Sequence, residues 1–107
     1  MLKVELVTLR RDKVDAFKAW MAALQRRKEE VLETFEAEGT RHEFVAIIGD
    51  TDPPVVVYAT ESDDFSKAQK AFLNSRFPID MEHKAVLHEC IAGRAPLEVL
   101  FELAARP

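Results

Sequence analysis

The stretch DKVDAFKAWMAALQRRKEEVLETFEAEG, residues 12–39, decides the fold because its apolar side chains recur at helical spacing. Val14, Phe17, Met21, Leu24, Val31 and Phe35 fall at three- and four-residue steps, which puts them on one stripe of an α-helix facing a core. The carboxylate of Asp12 can accept first-turn N–H groups, and Gly39 can adopt the left-handed conformation that ends a helix. Lys28 interrupts the stripe. A helix of about 26 residues is roughly 39 Å long, against about 26 Å for an eight-residue strand, so the helix should overhang its sheet. Lys28 would then mark the exit from the core, its stem on apolar surface and its ammonium in water.

Working outward, Leu2 to Leu9 alternates as a strand, with Leu2, Val4 and Leu6 on one face and Lys3, Glu5, Val7 and Leu9 on the other. After the helix, Thr40 to Ile48 makes a second strand and residues 49–54, Gly-Asp-Thr-Asp-Pro-Pro, a turn. Val55 to Thr60, β-branched and containing Tyr58, suits a central strand. Thr60 can cap a second helix whose apolar face is Phe65, Ala68 and Phe72, and Pro78 starts a third carrying Ile79, Val86, Leu87 and Cys90. Residues 92–96, Ala-Gly-Arg-Ala-Pro, should break that helix, and Leu97 to Leu103 alternates as a last strand.

With 107 residues the chain suffices for one α+β domain, residues 1–107, of order β-α-β-β-α-(α)-β. Two right-handed β-α-β halves make a four-stranded antiparallel sheet with the helices on one face, a ferredoxin-like arrangement. Its open face is expected to carry Val7, Leu9, Val45, Ile47, Val56, Tyr58 and Leu100, more apolar surface than a solvated monomer usually leaves contiguous. A second copy, making a homodimer, would cover it.

Composition excludes several function classes. The net charge is −4 and the one basic run, Arg26-Arg27-Lys28, is followed at once by Glu29-Glu30, so no nucleic-acid surface is expected. No apolar run approaches a membrane span, the chain enters a strand without a secretory leader, and the single Cys90 reads as packing; the expected address is cytoplasmic. The three glycines, at 39, 49 and 93, supply neither a P-loop nor a dinucleotide fingerprint, and no cofactor is expected.

Taken together, the topology resembles the dimeric α+β-barrel superfamily, in which two such sheets pack face to face around a central cavity. Trp20, Glu38-Gly39, Glu43 and Pro78-Ile79-Asp80-x-Glu82-His83 resemble, more narrowly, a small uncharacterised bacterial family within it. Relatives in the superfamily include cofactor-free monooxygenases, haem-degrading enzymes and sugar mutarotases, and a shared fold does not transfer their reactions. The Asn-Trp pair and downstream His of the haem-degrading group are absent here, since Ala19 precedes Trp20 and Ala23 and Leu24 follow.

The polar residue that stands out is His83, which helical projection places amid the Ile79, Val86, Leu87 and Cys90 stripe. Asp80, one turn earlier, is positioned to orient its ring. The pair reads either as a catalytic acid or base with its orienter, or as a core histidine satisfied by Asp80 or a backbone carbonyl. Trp20 is core edge or a stacking platform for a ligand, and Glu43 and Tyr58, on one sheet face, either bond across a dimer interface or line a pocket. His83 and His88 lie about 140° apart on a helix, so no metal site is expected.

Three readings follow. The first is a homodimer that binds a small organic molecule. The second is a cofactor-independent enzyme, a monooxygenase or isomerase, working through His83 and Asp80, and the third is a purely structural dimer. A polar cavity containing His83 favours the first two, a closed interface without one the third.

Overall fold

Leu2–Leu9 (β1), Val14–Arg26 (α1), Lys28–Glu38 (α2), Thr40–Ile48 (β2), Val55–Ser62 (β3), Phe65–Asn74 (α3), Pro78–Cys90 (α4) and Ile91–Ala95 (β4) are the elements of the computed structural model, which describes residues 1–107. The domain is α+β, and its four strands form one antiparallel sheet in the order β2-β3-β1-β4. No helix is long and apolar enough to cross a membrane.

The predicted single helix is two. Arg27 leaves helical geometry at φ −96°, ψ 39°, and its N–H is shared between the carbonyls of Ala23 and Leu24 at 3.0 and 3.1 Å. No glycine or proline marks the break. Instead the Arg27 guanidinium bridges Glu30 of α2 and Glu82 of α4, both at 2.7 Å, and lies 5.9 Å from the Trp20 ring centroid. Asp12 caps nothing, because a 3₁₀ turn at Arg11–Lys13 precedes α1. Gly39 does end α2, at φ 76°, and Lys28 is exposed. Asp64, not Thr60, caps α3, its carboxylate accepting from the Lys67 N–H at 3.2 Å.

The sheet faces are reversed from expectation. Val7, Leu9 and Val56 point toward the helices, where with Phe17 of α1 and Cys90 of α4 they make the core; Val45 and Tyr58 pack against it. Pairing then fixes the other face. Leu6 stands opposite Val57 and Ala95, Val57 opposite Ala46, and Val4 opposite Ala59, itself opposite Phe44. Leu2, Val4, Leu6, Phe44, Ala46, Ile48, Val55, Val57 and Ala59 therefore share the uncovered face, with Phe44 55% exposed. Lys3, Glu5 and Glu43 share the face of Val7 and Val45 and so lie on the helix side, where polar side chains are tolerated because the helices leave a cavity there.

The last strand is also displaced. Ile91–Ala95 pairs with β1 directly after α4, so cross-strand partners override the low strand propensity of Ala92 and Gly93. Leu97 to Leu103 belongs to no strand and is exposed throughout.

Candidate functional site

Between the sheet and α1 to α4 lies a cavity of about 530 Å³. Leu24, Val31 and Phe35 from the first two helices, with Phe65 and Phe72 from α3, form its apolar wall, and Glu38, Glu43, Tyr58, Asp80 and His83 enter it as polar groups. Arg94 of β4 and Lys3 and Glu5 of β1 complete the lining on the sheet side. The break at Arg27 matters to this geometry, because residues on both sides of it, Leu24 and Val31, line the cavity.

His83 is held by Trp20, not by Asp80. The Trp20 indole N–H donates to His83 Nδ1 at 2.6 Å, and Phe72 presses edge-on against the imidazole with ring centroids 5.5 Å apart. A ring that accepts at Nδ1 carries its neutral-state proton on Nε2. Burial lowers its pKa to about 4, so near neutrality His83 is an uncharged N–H donor. Trp20 itself is not among the cavity-lining residues; it meets the cavity only through the imidazole it holds.

Asp80 makes no hydrogen bond to His83. Only 6% exposed, it faces the cavity and also a smaller groove shared with Thr34 and Glu38, and its Oδ2 has no partner in the chain. Tyr58 Oη is likewise buried and unpaired. Each such group costs about 1 to 3 kcal/mol unless a proton or another polar molecule satisfies it. Burial raises the Tyr58 pKa, and the Glu43 charge raises it further. Tyr58 and Glu43 share one face of the sheet as expected, but it is the helix face.

Glu38 was legible only as part of the Glu38-Gly39 pair. Burial, then the charges of Asp80 and Glu43, push its pKa up to about 7. Glu43 is reached by water at the sheet edge, yet the concave wall strips part of its hydration, and this together with the Asp80 charge moves its carboxyl upward as well. The missed signal was periodic: Val31, Thr34, Phe35 and Glu38 continue one stripe, so Glu38 is a carboxylate at a core-facing position. Glu38 and Glu43, whose proton affinity burial and the neighbouring carboxylates raise, stand beside a phenol and a neutral imidazole; Glu38 can exchange protons near neutral pH, and the group as a whole can accept hydrogen bonds from a guest. No three His, Cys, Asp or Glu side chains are arranged to hold a metal ion.

Residues 2–106 match the model of a family described as a family of unknown function (DUF6176), and the chain belongs to it. No curated protein matches the chain.

Proposed function

We propose that this chain, as a member of that family, is a homodimeric α+β-barrel protein that binds a small organic molecule in the cavity between its sheet and its helices. The observation that carries the reading is the cavity itself, about 530 Å³ with aromatic walls and five polar side chains, Glu38, Glu43, Tyr58, Asp80 and His83, in its lining. The guest's apolar body would lie against Phe35, Phe65 and Phe72, and its hydrogen-bonding end would meet Tyr58, His83 and the carboxyl groups. The sheet order, read from its other edge as β4-β1-β3-β2, is what a ferredoxin-like β-α-β-β-α-β chain produces, which supports the superfamily resemblance. The apolar open face, centred on Leu6 and Val57, supports the dimer. A lone buried thiol suits a cytoplasmic protein.

A second reading, an isomerase-type enzyme, is favoured by Glu38. With a pKa of about 7 it can take a proton from one atom of a bound molecule and return it to another without net change. This reading moves the acid–base role from His83, which is held neutral, to Glu38.

The test is an NMR screen of small amines, phenols and carboxylic acids against the wild-type protein and Tyr58→Phe. Binders should shift the resonances of His83, Phe72 and Tyr58 and bind the variant more weakly. Perturbations confined to the open sheet face, with none in the cavity, would contradict the site.

A further inference from the structure

We propose that the segment Leu97 to Leu103 adds as an extra strand to the edge of β2 in a second copy of this chain, the exchange being reciprocal. The inference rests on the dimer proposed above and goes beyond it by naming the segment that crosses.

The segment is built as a strand and has nothing to pair with. Leu97, Val99, Phe101 and Leu103 alternate with Glu98, Leu100 and Glu102, yet Leu100 and Phe101 are 87% and 82% exposed and no backbone hydrogen bond involves any residue from 97 to 103. The Cα radius of gyration is 14.3 Å, whereas a globular chain of this length has about 13 Å, consistent with an arm that stands off the domain. Pro96 removes the N–H that would continue the β4 ladder along β1 and holds Ala95 extended, so the chain runs outward rather than folding back.

At the opposite edge of the sheet, β2 has the complementary deficiency. Its outer side is unpaired over Thr40–Ile48, long enough for seven residues. It bears exposed apolar side chains on both faces, Phe44 and Ile48 on one and Ile47 on the other, a composition suited to an interior strand. An extended segment that is apolar along one face and carries Leu100 between two glutamates on the other fits such an edge by main-chain pairing. A chain's own tail is badly placed to supply it, because β4 and β2 are separated by β3 and β1, a span of roughly 14 Å across the sheet. A two-fold-related copy presents its β2 edge to the first copy's tail and receives the same in return.

Two experiments test this. Chain ending at Pro96 should show a dimer dissociation constant raised about tenfold or more relative to the full chain, and Phe101→Asp in the full chain should do the same without loss of fold. A spin label on Ala104→Cys, just past the segment and with the buried Cys90 out of reach, mixed with unlabelled isotope-enriched chain, should broaden β2 amides of the enriched chain. An unchanged dissociation constant after truncation, or a mixed dimer in which the β2 amides of the enriched chain stay sharp, would overturn the exchange while leaving the dimer standing. A full-length chain that stays monomeric would overturn both.

Discussion

The two faces of the sheet differ in a way that runs against simple expectation. The face covered by helices carries Lys3, Glu5 and Glu43 at one end, while the face that nothing in the chain covers carries Leu2, Val4, Leu6, Phe44, Ala46, Val57 and Ala59. Charged residues sit beneath helices because the packing there is incomplete, with the main apolar cluster made of Val7, Leu9, Val56, Phe17 and Cys90 and, of the other apolar residues, only Ala68 and Ile79 buried. Apolar residues on the open face form a contiguous patch of the kind that favours association, and it is this patch that the proposed dimer would cover. Polarity along a strand thus reports what finally lies against it, which need not belong to the same polypeptide.

The largest expected effect tests that difference directly. Leu6→Glu puts a charge at the middle of the open face, opposite Val57. An unpaired charge buried in an interface costs roughly 3 to 5 kcal/mol, so analytical ultracentrifugation should show dimer affinity falling by about two orders of magnitude or more. Glu43→Gln, on the helix side of the same sheet, should leave the dimer intact.

A smaller effect is expected on the helix side, from the Trp20–His83 contact. His83→Phe keeps a ring against Phe72 but leaves the Trp20 N–H without its acceptor, a loss of about 1 to 3 kcal/mol in denaturant unfolding. A double-mutant cycle with Trp20→Phe should show positive coupling between the two residues, whereas a cycle of His83→Phe with Asp80→Asn should show coupling near zero. Strong coupling to Asp80 would restore the pairing that helical spacing suggested.

The smallest effect is a pH slope. Glu38 has its pKa raised in the folded state to about 7, so between its ordinary value of 4.5 and 7 the folded chain holds more protons than the unfolded one, and its contribution to stability falls as pH rises. His83 works in the opposite direction: lowered to about 4 from 6.5, it makes the unfolded state the better proton binder in that interval, so its contribution rises with pH. The wild-type profile should therefore be shallow from pH 4.5 to 6.5. Glu38→Gln removes only the falling part, so the variant should gain stability relative to wild type as pH rises through 7, and thermal melts at pH 4 and pH 8 measure the difference.

Much of the fold was legible where local signals were strong. The stripe Val14, Phe17, Met21 and Leu24, the left-handed stop at Gly39 and the extents of the first two strands all stand as read. The sheet faces were ambiguous because adjacent positions such as Leu6 and Val7 are both aliphatic, and alternation alone does not say which one meets a helix. The break at Arg27 left no local mark because its anchor includes Glu82, far along the chain. Residues 92–96 read as a breaker although pairing with β1 makes most of them a strand. The site was half visible: His83, Asp80, Glu43 and Tyr58 do converge on one cavity, but the partner of His83 is Trp20, 63 residues away, a contact that spacing does not encode.

The central claim, that the open face belongs inside an assembly, is tested most directly by the solution mass of the wild-type chain. Light scattering at micromolar concentration should give twice the protomer mass of 12.2 kDa. A mass of one protomer across the whole concentration range would contradict it, leaving Leu6, Phe44 and Val57 without the cover their exposure demands.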